Sequence, residues 1–551
     1  MGRVRGPRAP APNEENNRSG PVRTSRSHDQ RAPTPWRHPL HSTRPAPAAD
    51  RDPRRWVILG VICLAQLVVL LDNTVLNVAI PVLTTDLGAS TADIQWMINA
   101  YALVQSGLLL TAGSLADRYG RKRLLMLGLV LFGAGSAWAA FAQDSAQLIA
   151  ARAGMGVGGA LLATTTLAVI MQVFDDDERP RAIGLWGAAS SLGFAAGPLL
   201  GGALLDHFWW GSIFLINLPV ALLGLLAVAR LVPETKNPQG RRPDLLGAVL
   251  STLGMVGVVY AIISGPEHGW TAPQVLLPAA VGAAALTAFV RWELHTTHPM
   301  LDMGFFTDRR FNGAVAGGLL VAFGMAGSLF LLTQHLQLVL GYDALQAGLR
   351  TAPLALTIVA LNLAGVGAKL LAALGTARSI ALGMTLLAAG LSAVAVGGSG
   401  PDAGYGGMLA GLLLMGAGIA LAMPAMATAV MSSIPPAKAG AGAGVQGTLT
   451  EFGGGLGVAI LGAVLGSRFA SQLPAAITGT GSLDEALGGA TTPRQTQQVH
   501  DAFADAVNTS QLIGAAAVFT GGLLAAMLLH RADRKAAPRP HTPAPEPTTT
   551  V

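Results

Sequence analysis

Three ionisable residues lie deep inside apolar stretches, where a charge is costly to hold: Asp72, Arg152 and Glu451. Such residues are functional candidates by default. On helices rising 1.5 Å per residue, Asp72 is roughly 24 Å from the start of the stretch 56–80, and Arg152 roughly 9 Å into the oppositely running stretch 146–171. In a hydrocarbon layer of about 30 Å, both fall in the same half, within a few ångströms of one depth. A charge-assisted contact is therefore feasible, with the carboxylate poised between a proton and the guanidinium. Protonating Asp72 would weaken the pair and bias two conformational states, which is what coupling to a proton gradient requires. A purely structural ion pair is the alternative. Glu451 lies about 16 Å into the stretch 440–466, amid Gly447, Gly453, Gly454 and Gly455. Burial with no cation at hand disfavours its charged form, making it a second candidate proton carrier or a site for cationic substrates. The competing reading is a glutamate that only hydrogen-bonds a neighbouring helix.

Weaker signals come from Asn73, Asn77, Gln105, Gln334, His335 and Gln337, which could line a cavity. His335, near a helix end, reads more simply as a structural hydrogen-bonder. Other chemistries lack their residues. An ATP-driven pump needs Gly-x4-Gly-Lys-Ser/Thr, and the dipeptide Gly-Lys does not occur. No His-Glu-x-x-His, paired-cysteine or nucleophile-elbow pattern is present, so no enzyme, metal site or cofactor is expected. The lone cysteine, Cys63, has no internal disulfide partner.

The elements that position these residues follow from composition. With 51% hydrophobic and 12% charged residues among 551, the chain falls well short of the roughly 25% charge of a soluble domain. Its 69 glycines suit helices that approach closely in lipid. Stretches of about 20 apolar residues, the length that crosses a bilayer, number fourteen, at 56–80, 94–115, 123–142, 146–171, 181–205, 212–232, 244–264, 274–292, 312–340, 345–370, 377–397, 405–431, 440–466 and 510–530. The tenth, broken by Lys369, is the weakest, with the seventh.

Loop charge tests the count. Arg118, Arg121, Lys122 and Arg123, then Arg179 and Arg181, Lys236, Arg241 and Arg242, Arg309 and Arg310, Arg378 and Lys438 fall in alternate loops. The intervening short loops at Thr84–Asp93, Gln143–Ser145 and Gly265–Ala272 hold no Lys or Arg. Cytoplasmic loops attract positive residues, so both termini are expected in the cytoplasm. The loop at 467–509, with Arg468 and Arg494, is the exception. Residues 1–55 carry twelve arginines, no lysine and no apolar stretch. They read as a disordered basic tail with no cleavable signal and no nucleic-acid motif, and 531–551 as a second disordered tail. Asp175–Glu178 with Arg179 and Arg181 read as a solvated loop.

Four motifs carry a resemblance. Gly113-Ser-Leu-Ala-Asp117-Arg118-Tyr-Gly120-Arg121-Lys122 resembles in full the signature loop of the major facilitator superfamily. Its glycines permit a tight turn, and Asp117 can accept from arginines or a helix terminus; such a cluster can latch the cytoplasmic face shut. Leu71–Pro81, Arg152 with Gly156, Gly158 and Gly159, and Gly193-Phe-Ala-Ala-Gly197-Pro198-Leu-Leu-Gly201-Gly202 resemble the first-helix, proton-linked arginine and antiporter motifs of its fourteen-helix drug:proton antiporters. Trp209-Trp210 through Asn217-Leu-Pro219 extends the likeness, nearest to the methyl-viologen and quaternary-ammonium branch. The resemblance implies an all-α membrane fold with a six-helix bundle at 56–232, two inserted helices and a linker at 233–311, and a second six-helix bundle at 312–530. It further implies a monomeric plasma-membrane antiporter, driven by the proton motive force without a cofactor, that exports amphipathic or cationic organic molecules as the bundles rock. An importer or facilitator of a small metabolite is the runner-up. The second-half loop at Gly367–Arg378 lacks an acid matching Asp117, and Glu451 stands where the family carries a neutral amide or similar residue.

Overall fold

The computed structural model describes residues 53–175, 177–236, 243–397, 405–434, 439–474, 477 and 483–536. The expected tails at 1–52 and 537–551, and Arg241, Arg242 and Lys438, lie outside them. Fourteen of the described helices are long and apolar enough to cross a membrane.

Polar punctuation sets where these helices begin and end. α1 (Arg55–Leu87) stops at Gly88, whose φ of 61° an L side chain resists. α2 (Thr91–Tyr119) starts from a reciprocal cap between Ser90 and Asp93. Gly120, at φ 119°, turns the chain into α3 (Arg121–Ala140). Asp144 caps α4 (Ser145–Val173), followed by α5 (Arg179–His207), the short α6 (Ser212–Leu215) and α7 (Asn217–Leu231). These seven pack on one another as the first half.

Asp244 caps α8 (Leu245–His268), which pairs with α9 (Pro273–His295) and leans on α2. In the second half, α10 (Arg309–Gln334) ends in a π turn at His335–Val339 and is followed by α11 (Ala344–Leu363), α12 (Val366–Leu374) and α13 (Thr376–Gly397). α14 (Tyr405–Ser432), α15 (Ala439–Gln472), α16 (Leu483–Gly489) and α17 (Pro493–Ala536) complete it.

Three expected boundaries are corrected. The tenth span does not run to 370: α11 ends at Leu363, Gly365 adopts φ 65°, and α12 starts a new direction that leaves Lys369 exposed. The stretch 467–509 is not simply a loop, because α15 continues to Gln472 and α17 already begins at Pro493. Hydropathy registers contact with lipid, not helicity, so these wetter extensions escape it. They brace each other, with Phe469 edge-on to Phe503 at 5.4 Å and Gln472 Nε2 donating to Asp505 Oδ2 at 2.6 Å. The tail expected from 531 likewise begins as helix, to Ala536.

The halves meet along α2 against α15, α5 against α11 and α1 against α10. The antiporter-like motif of α5 splits into two rows. Gly193, Gly197 and Gly201, four residues apart and so on one face, lie against Leu67, Leu71, Thr74 and Val75 of α1. Gly202 and the Pro198 carbonyl face α11, where a Cβ on Gly202 would fall 2.5 Å from Leu345 Cα and one on Gly348 would strike the Pro198 carbonyl. At this end, opposite the Gly113–Arg123 loop, the halves close backbone to backbone.

That closure makes a testable claim. In a Cys63→Ser background carrying Thr351→Cys, adding Gly348→Leu should raise labelling by an impermeant thiol reagent supplied from the face opposite the loop. Unchanged labelling of the folded fraction would show that this glycine contact does not close the passage.

Candidate functional site

Asp72 and Arg152 meet directly, joined by a bond from Arg152 Nη1 to Asp72 Oδ2, and both are sealed, at 0% and 1% exposure. The surroundings complete their coordination. Arg152 Nε donates to the Met97 carbonyl at 3.1 Å, and its guanidinium stacks 4.6 Å from the Tyr101 ring centroid. Asn217 Nδ2, at the first residue of α7, donates to Asp72 Oδ1 at 2.9 Å and approaches Ser136 Oγ at 3.2 Å. A buried pair repays its desolvation only when its remaining lone pairs and protons find partners, and α1, α2, α3, α4 and α7 supply them. Gly156 and Gly159 let α4 approach: a Cβ on Gly156 would stand 2.7 Å from the Tyr101 carbonyl.

Sequence reasoning missed Asn217 and Tyr101 as partners of the pair. Asn217 was visible as an amide before Leu-Pro within an apolar run, while nothing in the sequence singled out Tyr101. Which way the pair faces was left open by the sequence. The pair faces the interior of the first half, and neither side chain lines the pocket between the halves, because the guanidinium is drawn onto the α2 backbone and the tyrosine face.

That pocket is framed by Thr74 and Asn77 of α1, Phe194 and Pro198 of α5, Thr333 of α10 and Thr351 of α11, among others. Of the residues expected to line a cavity, Asn77 does so. Gln334 borders a second pocket with Thr84, Thr91 and Phe503. Gln337 Nε2 donates to the Val78 carbonyl at 3.1 Å, tying α10's end to α1. Gln105 is buried, its Oε1 turned with the Tyr101 hydroxyl toward Gly159. Asn73 is half-buried on α1. His335 departs from expectation: it is buried in the π turn, and neither ring nitrogen has a hydrogen-bond partner among the described residues.

Glu451 is half-buried and makes no hydrogen bond or ion pair among the described residues. Its helix is glycine-rich on two sides. A Cβ on Gly453 would meet Leu319 of α10 at 2.4 Å or more, whereas Gly447 faces Leu109, Gly455 faces Asn99 and Gly462 faces Gln95, all on α2. Position 451 shares the α2-facing stripe, and Ser106 Oγ donates to the Thr448 carbonyl at 2.8 Å beside it. The Tyr101 hydroxyl stands within electrostatic reach of both Asp72 and Glu451.

The Gly113–Arg123 loop makes its polar contacts within the first half. Asp117 pairs with Arg121 at 2.8 Å, Arg121 Nη1 donates to the Ala168 carbonyl at 3.4 Å, and Lys122 Nζ donates to the Ala229 carbonyl at 2.7 Å. Glu234, another residue the sequence did not flag, accepts from Lys122 N at 3.3 Å and lies 3.5 Å from Arg123. Glycine at 120 is required by its φ of 119°, and the Glu234 carboxylate occupies the space where a Cβ would stand. The expected latch across the halves is thus not engaged among the described residues. The supposed solvated loop before α5 is also partnered: Arg55 bonds Glu178 at 2.7 Å, and Arg181 stacks on Trp56 at 5.0 Å.

The family profile described as Major Facilitator Superfamily matches residues 62–458. The chain belongs to that superfamily. Within it, the chain is 35% identical over 450 residues to "Multidrug efflux pump LfrA" of Mycolicibacterium smegmatis, covering 81% of this chain and 88% of that one. It is 35% identical over 463 residues to "Methyl viologen resistance protein SmvA" of Salmonella typhimurium, covering 82% and 92%. Among solved structures, a bacterial homologue of the human lysosomal transporter Spinster, inward-facing and unoccupied, superposes with a TM-score of 0.60 at 16% identity, covering 87% of this chain and 98% of that one. That likeness bears on the fold of this superfamily member alone.

The sealed pair yields an asymmetry to test. Removing one partner of a buried ion pair leaves an uncompensated charge, at a cost of about 3–5 kcal/mol. Asp72→Ala and Arg152→Ala should each lower the yield and melting temperature of the purified protein sharply, and Asp72→Asn with Arg152→Gln together should recover much of both. Single variants no worse than the double would contradict the paired geometry.

Proposed function

We propose that this superfamily member is a proton-coupled efflux antiporter that carries amphipathic or cationic organic molecules outward while protons enter. The observation that carries the proposal is Glu451, an acid without a cation among the described residues, where α15 meets α2. An unpaired carboxylate between two rocking halves offers one position for either a proton or an organic cation. Competition for that position is the simplest basis for antiport. The relatives named as a multidrug efflux pump and a methyl viologen resistance protein support the direction and the substrate class.

In this reading Asp72 and Arg152 respond to Glu451 rather than meeting the substrate, and Tyr101 stands between them. A cation bound to Glu451 leaves the carboxylate ionised, so an ion pair stands near the tyrosine ring on which Arg152 rests. A proton there leaves no charge at all, and the two occupancies favour different packings of α4 and α2. The close backbone contact of α5 with α11 is the gate at one end. The Gly113–Arg123 loop, on the side rich in Lys and Arg, is the gate at the cytoplasmic end. Both termini then lie in the cytoplasm, the protein works in the plasma membrane as a monomer, and the proton gradient is the sole energy source. The segments 56–232 and 312–530 are the rocking bundles, and 233–311 is the insert.

Inside-out vesicles provide the test. An imposed gradient, acid inside, should drive accumulation of methyl viologen or tetraphenylphosphonium, and a protonophore should abolish it. Glu451→Gln should reduce gradient-driven uptake of the cations at least tenfold while leaving the folded protein level unchanged. Uptake that survives the protonophore, that requires ATP, or that Glu451→Gln leaves at full rate for every substrate would sink the proposal. Accumulation only in right-side-out vesicles would favour an importer.

A further inference from the structure

The two inserted helices close on a pair of carboxyl groups that the transport reading does not use. Asp244, 8% exposed, caps α8, its Oδ1 accepting from Gly247 N at 2.8 Å. The Trp292 indole N–H lies 3.0 and 2.8 Å from its two oxygens. Asp244 is thus well supplied with donors, as an ionised carboxylate should be. Glu293, 3% exposed, is supplied differently. Its Oε2 accepts from Leu301 N at 3.0 Å, and its Oε1 has no donor among the described residues.

That orphaned oxygen is aimed at Asp244. A Cβ on Gly247 would fall 2.7 Å from Glu293 Oε1 and 2.8 Å from Asp244 Oδ2, so the two carboxyl oxygens converge on one point. Ionised carboxylates only accept hydrogen bonds, and two like charges in a buried contact cannot both persist. We infer that Asp244 and Glu293 form a proton-binding site in the inserted helix pair, in which Glu293 Oε1 carries the hydrogen and donates it to Asp244 Oδ2. One proton and one negative charge are then shared by the two groups.

Among the described residues, the neighbouring elements supply no competing charge. Asp244 is the charged group that acts on Glu293. α2 contributes the neutral Thr111 hydroxyl, which donates to the Asp244 carbonyl at 3.3 Å and touches Met300. The linker contributes the Leu301 amide, while Asp302 is turned to its own cap on Gly304 N at 2.9 Å. α15 meets α8 through apolar contacts around Met255, Val259 and Ala459. Thr111 lies two residues before Gly113, so the proton fastens the insert beside the helix that carries the Gly113–Arg123 loop. Losing it would set two carboxylates against each other at that junction.

The folded chain then binds one proton more at neutral pH than the unfolded chain, whose separated carboxyls ionise. Stability should therefore fall as pH rises. The test uses the full-length purified protein with Glu451→Gln as the parent, so that the other unpaired acid does not contribute. Thermal midpoints are followed from mildly acid to mildly alkaline pH, and the infrared band of a protonated carboxylic acid is recorded at neutral pH. Glu293→Gln keeps a donor toward Asp244. It should flatten the alkaline fall in midpoint and remove the infrared band. An undiminished band, or a pH slope equal to the parent's, would overturn the inference. Asp244→Asn, whose amide donates to Glu293, should flatten the slope in the same way and serves if Glu293→Gln does not fold. Failure of both amides to fold would equally overturn it.

Discussion

A charge placed in hydrocarbon must find its counter-charge and fill its hydrogen-bonding positions within the protein, and the first half is arranged around that demand. Arg152 reaches Asp72, the Met97 carbonyl and the Tyr101 face, and Asp72 takes a further bond from Asn217. Four helices must hold their depth and rotation for these contacts to exist together. The pair therefore fixes the relative placement of α1, α2, α4 and α7 more tightly than non-directional apolar packing could. Glycines on α4 make the approach possible, because a methyl group there would collide with α2 backbone.

The interface between the halves is built on the opposite principle. It is lined by many small residues, so contact is close without being chemically locked. α5 shows both uses in one motif: one glycine row seats it permanently on α1, the other lets it touch α11 backbone to backbone. α15 repeats the device, with one row against α10 and one against α2. A surface held mainly by van der Waals contact, with neutral hydrogen bonds such as those of Ser106 and Gln337, can part at modest cost, which suits halves that must separate and rejoin. Glu451 is placed on such a surface, where leaving an acid unpaired has chemical consequences.

Some of the site was legible from residue type and spacing. The common depth of Asp72 and Arg152 follows from helical rise and from alternating chain direction, and their contact is where that arithmetic puts it. The fourteen spans and the Gly113–Lys122 loop were equally plain. Side-chain sidedness was not. Whether the pair faced the central pocket or the bundle interior depended on how α2 is rotated, and Tyr101 carried no mark of its role. Glu234 and Glu178 looked like ordinary loop acids, yet each holds an arginine or a lysine amide from a distant segment. The carboxyl pair at the cap of α8 and on α9 joins Asp244 to Glu293, 49 residues on, with nothing in the intervening sequence to announce it.

By itself, the sequence determined what bilayer physics enforces residue by residue: which stretches cross, how many there are, which loops carry positive charge and which acids and bases are submerged. Those properties depend on composition along the chain and on a fixed rise per residue. Only the tertiary structure decided which submerged groups are satisfied and which are left open. That depends on the azimuth of each helix and on neighbours remote in sequence, so Asp72 is sealed with its arginine, Glu451 stands without a cation, and Glu293 faces another acid.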